Sequence, residues 1–219
     1  KAPNDPNAQG RKKHAGDAIF EDVNNDGQLD SKDMKFMGYI RPDKVGGIVN
    51  SFKYKGLTVR VVMDWAMGHV IDNGFKGQIM GSSRNNNNAI KDAMTNSWQS
   101  ANDGTKYPKY TVQSDYDYQY RNHMRWDNQI GSSESGSTNN SLYFSKGDYL
   151  AFREVSLSYM LPSTWVRKIR LSGVEVFAGA YNIGYIKKYD GMFPEIYTGV
   201  DYGVYPRPRQ YNMGVKINF

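Results

Sequence analysis

Apolar and polar residues alternate along the chain with a period of two. In LTVRVVMDWAM, Leu57, Val59, Val61, Met63, Trp65 and Met67 share one parity, and Thr58, Arg60, Val62, Asp64 and Ala66 share the other. Such alternation predicts a β-strand with one apolar face. Its length fits the roughly 9 to 11 residues that a tilted strand needs to cross a bilayer. Upstream, GGIVNSFKY is a second β-type run, and Lys55-Gly56 between the two is a connection of the X-Gly kind that suits a tight hairpin.

Three further runs follow. In YLAFREVSLSYMLP, Arg153, Val155, Leu157, Tyr159 and Leu161 share one parity while Glu154, Ser156 and Ser158 share the other, and Pro162 ends the strand because it has no N–H to give. GVEVFAGAYNIGY sets Val174, Val176, Ala178 and Ala180 against Glu175, Phe177, Gly179 and Tyr181. RQYNMGVKINF sets Tyr211, Met213, Val215, Ile217 and Phe219 against Asn212, Gly214, Lys216 and Asn218. The pattern therefore predicts five strands, at about 46–54, 57–68, 147–161, 173–185 and 208–219.

Between the second and third runs lies a polar stretch from 71 to about 141, in which only NAIKDAMTNSW has helix-like spacing, through Ile90, Met94 and Trp98. Connections beyond about 15 residues are uncommon in compact soluble domains but ordinary as outer loops of a membrane barrel. The organisation this predicts is a loop over 1–45, a hairpin over 46–70, a long loop over 71–146, and three strands over 147–219 joined by a turn at 162–172 and a loop at 186–207. If the chain ends in the periplasm, alternating strand directions put the turns 55–56 and 162–172 there and the three loops outside. Arg153 then shares the lipid face near the outer end of its strand, where a charge costs roughly 0 to 1 kcal/mol rather than the 2 to 4 it costs at midplane. Tyr54, Tyr149, Tyr159, Trp165, Tyr185 and Tyr211 collect toward strand ends, as interfacial aromatics do.

Composition adds constraints. The chain has 219 residues, 17 of them Tyr, 22 Gly and none Cys, with a formal net charge of +6 from 28 basic and 22 acidic residues. The absence of cysteine excludes disulfides and thiolate metal sites. The basic residues are scattered rather than clustered, which is no nucleic-acid footprint. No window reaches the 18 or more apolar residues of a membrane helix, a test that barrel strands are not expected to meet.

The candidate chemistry is one loop. In EDVNNDGQLDSKD, Asp22, Asn24, Asp26, Gly27, Gln28, Asp30 and Asp33 occupy positions 1, 3, 5, 6, 7, 9 and 12 of a calcium loop. Oxygens would come from the side chains of Asp22, Asn24, Asp26 and Asp33, from the carbonyl of Gln28, and from Asp30 directly or through water. Asp33 stands where EF-hands carry a bidentate Glu, which lowers affinity. Asp, Asn and Gly also favour turns for backbone reasons, so the stretch reads either as a structural Ca2+ site or as a metal-free Asx-rich turn. Trp98, Tyr107, Tyr110 and Trp126 offer aromatic faces in the long loop, either for sugar stacking and lid contacts or for packing on one another. No catalytic constellation is present: His14, His69 and His123 fit no ligand spacing, and there is no nucleophile elbow, P-loop or HExxH motif. No catalytic cofactor is expected.

The segments GDAIFEDVNNDGQLDSKDMKFMG, SFKYKGLTVRVVMDWAMG, SLYFSKGDYLAFREVSLSYMLPSTWVRKI, VEVFAGAYNIGYIKKYDGMFPE and DYGVYPRPRQYNMGVKINF, in this order, resemble the C-terminal part of SusC/RagA-family TonB-dependent outer-membrane transporters. The resemblance implies an all-β fold: about five strands of a 22-stranded antiparallel transmembrane barrel with long extracellular loops, the chain being a portion of a larger polypeptide. It implies import of glycans or peptides through the outer membrane of a Gram-negative, Bacteroidota-type bacterium. Implied partners are a SusD-like lipoprotein, TonB through the N-terminal part, the plug domain and remaining barrel, and outer-membrane lipid. It also implies that Tyr211, Met213, Gly214, Val215, Ile217 and above all Phe219 form a barrel-assembly signal. The competing expectation is a secreted, calcium-braced β-sandwich that binds or adheres. Val59, Val61, Met63 and Trp65 distinguish the two, because a soluble sandwich must bury them.

Overall fold

The computed structural model describes residues 15–27, 31–76, 91–105, 107–110 and 141–219. Seven strands are present among them: β1 Lys44–Tyr54, β2 Leu57–Met67, β3 Val70–Asp72, β4 Phe144–Lys146, β5 Tyr149–Met160, β6 Gly173–Lys187 and β7 Gln210–Asn218. Five form one sheet in the order β1-β2-β5-β6-β7, every neighbour antiparallel, and β3 pairs with β4 in a separate two-stranded sheet. The all-β antiparallel expectation matches this architecture. No helix among the described residues is long and apolar enough to cross a membrane.

The chain divides into two units. One comprises Lys1–Gly38, Ile71–Ser145 and Thr198–Gly203. Here the predicted helix is a short one, Lys91–Thr95. The unit is stitched by main-chain bonds: Asp72 N–H donates to the Gly199 carbonyl (2.9 Å), Asn73 to Tyr143 (2.9 Å) and Phe75 to Asp201 (2.8 Å). Its small core gathers Tyr107 and Tyr143, with Tyr110 and Leu142 against them.

The other unit, Tyr39–Val70, Lys146–Tyr197 and Val204–Phe219, holds the five-stranded sheet. Lys55 (φ 44°) and Gly56 (φ 84°) turn the β1–β2 hairpin, two successive positive φ values that a two-residue turn of the primed type requires. Gly56 must be glycine for a second reason, since a Cβ there would lie 2.7 Å from the Met160 carbonyl oxygen. The register places Val59, Val61 and Met63 beside Leu157, Val155 and Phe152, and these beside Ala178, Ala180 and Gly184. β7 continues the face with Met213, Val215 and Ile217. That face is uncovered: Phe52 is 60% exposed, Leu157 46%, Val176 44% and Val215 57%. Apolar exposure on this scale marks a surface meant for another apolar phase or partner.

One expectation fails here. Arg153 does not share the apolar face. Val62 pairs with Glu154 and Met63 with Phe152, so Arg153 is an extra residue bulged out of the β2–β5 ladder. A bulge resets parity, because side chains alternate strictly and one inserted residue shifts all that follow. Arg153 and Glu154 therefore both point to the polar face. β6 compensates between Tyr181 and Gly184, where Asn182 takes φ 51°.

Candidate functional site

The polar face of the sheet carries the densest chemistry. Asp64 of β2 and Arg153 of β5 form a two-pronged ion pair, with Nε to Oδ2 at 2.6 Å and Nη2 to Oδ1 at 2.8 Å. The same guanidinium reaches Glu195, in the segment after β6, with Nη2 to Oε1 at 2.5 Å. Its Nη1 donates to the Tyr185 hydroxyl (3.3 Å), which in turn donates to Glu195 Oε1 (2.8 Å). Arg207 Nη2 stands 3.1 Å from Glu195 Oε2 without the alignment of a directed hydrogen bond. The Glu195 side chain has no exposed surface. A carboxylate so placed is stable only because two guanidiniums and a hydroxyl replace the water it lost.

Aromatic packing seats the same segment. Tyr149, Tyr185 and Phe193 meet edge to face, with centroids 5.9 and 5.8 Å apart, and Arg207 lies 5.8 Å over the Phe193 ring. Lys187 Nζ donates to the carbonyls of Tyr189 (3.1 Å) and Gly191. The residues after β6 are thus tied to the sheet by charge, rings and backbone at once.

Further along the face, Arg60 pairs with Glu154 (3.4 Å) and Ser156 donates to Glu154 (2.7 Å). Ser51, Lys53, Arg60, Ser156, Tyr181 and Asn212 line a shallow depression there. Phe177 lies over Gly214, where any side chain would collide with its ring. Past the end of β2, His69 is 5% exposed and its Nδ1 meets no hydrogen-bond partner among the described residues. A Cβ at Gly147 would overlap its ring. Burial pushes the imidazole below its usual 6.5, with Asp148 pulling the other way. The Gly68 N–H donates to Asp148 (2.8 Å) and holds that carboxyl below its ordinary range, helped by Lys188 at 3.1 Å.

The Asp-rich loop is partly described. Asp22 accepts from the N–H groups of Asp26 (3.2 Å) and Gly27 (2.8 Å), Asn24 Oδ1 accepts from Asp26 N–H (3.0 Å), and Asp33 accepts from Val23 N–H (2.8 Å). Gly27 has φ 79°, the left-handed turn that position 6 of a calcium loop needs. The donor types and this turn fit a hard, oxygen-seeking cation. Among the described residues, no group of three or more acidic or histidine side chains converges. Gln28 and Asp30 lie outside the described residues.

The aromatic candidates divide. Tyr107 is buried, its hydroxyl donating to Asp92 at 2.8 Å, so its ring is engaged in packing rather than offered to a ligand. Tyr110 packs beside it, and the indole of Trp98 lies close over Gly16, leaving no room for a Cβ there. Trp126 lies outside the described residues. Of the proposed assembly signal, Tyr211, Met213, Val215 and Ile217 sit exposed on the apolar face of β7, with Phe219 beyond it and Gly214 on the opposite face beneath Phe177. The charge network was missed by sequence reasoning. Its one signal is the pair Arg153-Glu154, two consecutive charges inside an alternating strand, which only a bulge keeps off the apolar face.

No protein-family model matches the chain. A TonB-dependent receptor of Formosa agariphila, P3, is 25% identical over 216 residues, covering 93% of this chain and 19% of the relative. A second TonB-dependent receptor of that organism is 24% identical over 213 residues with the same coverage. TonB-dependent receptor SusC of Bacteroides thetaiotaomicron is 26% identical over 91 residues, 41% of this chain and 9% of SusC. Among solved structures, the RagAB peptide transporter aligns at 21% identity with a TM-score of 0.58, covering 82% of this chain and 17% of that one. The closed-closed state of the RagAB peptide importer aligns with a TM-score of 0.61 over 84% and 18%. The structural likeness establishes the fold. The chain spans about a fifth of the length of the two Formosa relatives.

Proposed function

We propose, from the kinship of this chain with TonB-dependent receptors of the SusC/RagA type, that it forms part of the wall and outer loops of an outer-membrane importer. The observation that carries the reading is the five-stranded antiparallel sheet with one continuous, uncovered apolar face and one polar, charge-bearing face. A barrel wall between lipid and a wet lumen needs this division. A soluble sandwich would need to bury Leu157, Val176, Met213 and Val215, which stand in the open. The relatives are named as receptors and transporters, which supports transport rather than enzymic turnover.

On this reading the cargo is a glycan or a peptide, taken up with a SusD-like surface lipoprotein and driven through TonB, with a plug domain and further strands completing the barrel. The segment 188–197, pinned by the Arg153 network, lies at the outer mouth. The Asp-rich loop is braced by calcium, for which the roughly 10⁻⁴ to 10⁻³ M affinity of extracellular modules suffices. Pull-down of the native protein from solubilised outer membrane, followed by mass spectrometry of the intact chain and its companions, tests the assignment. A large heat-modifiable polypeptide with a co-purifying lipoprotein is expected. Recovery of the protein from the soluble fraction would overturn it.

A further inference from the structure

The connection between β5 and β6 is a structured piece with no role in the charge network. Ser163–Val166 is one helical turn that runs into a 3-10 turn, Arg167–Ile169, and Arg170 closes it at φ 59°. Val166 is buried, and the Leu171 and Ser172 N–H groups donate to the carbonyls of Val166 (3.3 Å) and Asn218 (2.9 Å). The backbone is therefore tied down on the sheet. What it leaves outside is unusual for a turn: Trp165 is 61% exposed and Ile169 66%. Arg167, Lys168 and Arg170 are exposed beside them. From Val155 to Val174 the chain carries no Asp or Glu. Among the described residues none of the three cations is in an ion pair.

A large indole and a branched aliphatic in water are unfavourable, and three uncompensated cations within four positions repel one another. Both liabilities vanish at the boundary of a bilayer, where the rings meet acyl chains and the cations meet phosphates. The apolar face of the sheet leads to this point, since Leu157 and Tyr159 stand exposed on it at the end of β5, just before Pro162. We propose that the turn from Ser163 to Arg170 is a docking site for anionic glycerophospholipid headgroups, with Arg167, Lys168 and Arg170 holding the phosphate and Trp165 and Ile169 entering the acyl boundary. The site rests on the barrel reading, in which this end of the sheet, with its short turns, faces the periplasm.

The test uses the full-length transporter in detergent, titrated with short-chain phosphatidylglycerol, with short-chain phosphatidylcholine and with inorganic phosphate, and bound lipid read by native mass spectrometry. Each cation near an anionic surface is worth about fivefold in affinity, so Arg167→Gln, Lys168→Gln and Arg170→Gln together are expected to weaken phosphatidylglycerol binding about a hundredfold. The triple variant should weaken phosphatidylcholine binding far less, because the choline cation offsets that lipid's phosphate, whereas Trp165→Ala should weaken both lipids alike. Phosphatidylglycerol binding equal to wild type in the triple variant overturns the site, as does its displacement by an equal concentration of inorganic phosphate. Heat-modifiable migration of each variant is measured alongside. A heat-stable barrel with unaltered lipid binding removes only this site, whereas a wild-type chain that yields no such barrel removes the importer reading and the site with it.

Discussion

Arg153 and Asp64 meet as a fork and a carboxylate across the β2–β5 pair, with both prongs at 2.8 Å or less. The contact exists because β5 carries one residue more than β2 opposite it. Without the bulge, the guanidinium would lie on the apolar face and Glu195 would lose one of the two cations that offset its burial. A backbone irregularity thus determines where the segment after β6 is anchored.

Removing that cation should release the anchor. Arg153→Met leaves the half-exposed Asp64 without its partner and the buried Glu195 with Arg207 as its remaining cation, so the loss should fall below the roughly 3 to 5 kcal/mol of a fully uncompensated buried charge. Arg153→Lys keeps the charge but not the fork and should lie in between. Hydrogen exchange of the full-length protein is the measurement. Faster exchange over 188–197 is expected in Arg153→Met with the strands β1 and β7 unaltered, and unchanged protection there would show that aromatic packing alone holds the segment.

Neighbouring residues of β2 should respond oppositely to the same charge. Val61 lies on the apolar face beside Val155, while Val62 lies on the polar face beside Glu154. Val61→Arg near mid-strand is expected to cost roughly 2 to 4 kcal/mol in a bilayer, whereas Val62→Arg gains an acidic neighbour and should be nearly neutral. Denaturant titration of the barrel folded into vesicles checks this. Equal damage from both would mean that both faces are packed against protein.

Alternation made the five strands legible, along with the sidedness of β2, β6, β7 and the part of β5 after its bulge, because period two is a local property that each strand writes in its own residues. The Lys55-Gly56 hairpin was legible for the same reason, since positive φ selects glycine. Arg153 was misplaced because a bulge changes parity without changing composition. Glu195 was passed over because its partners, Arg153, Tyr185 and Arg207, are brought to it by strand pairing and loop return rather than by spacing. Tyr107 stood open between a ligand contact and packing because its sequence neighbours are polar, and it packs with Tyr143, which a distant segment supplies.

The buried His69 gives the region past the end of β2 a pH dependence of definite sign. Its folded pKa lies below the usual 6.5 because burial disfavours the imidazolium, so the stabilisation is complete above 6.5 and is lost as pH falls through the lower folded value. Lys188 and Asp148 already pair, and Asp43 and Asp148 are the acids near this bend, so Asp148 opposes the effect without reversing it. Hydrogen exchange at Val70 and Gly147, corrected for intrinsic rates, should accelerate between pH 7 and pH 5. In His69→Gln that acceleration should be absent, and a variant that keeps it would move the titration to another group.

Calcium binding at the Asp-rich loop is the last expectation. Asp22 and Asp33 already close the loop by accepting main-chain N–H groups of Asp26, Gly27 and Val23, and Lys32 stands 3.9 Å from Asp26. A cation drawing on these same carboxylates would take over that closure and strengthen it. Limited proteolysis of the full-length protein should therefore cut the 16–45 segment more slowly with millimolar-range calcium than with chelator, the range in which extracellular sites work, about 10⁻⁴ to 10⁻³ M. In Asp22→Ala with Asp26→Ala, cleavage should be fast in both conditions, since the turn loses its own bonds and its ligands together. Identical cleavage of the wild-type loop with calcium and with chelator would leave it an Asx-rich turn held by its backbone bonds alone.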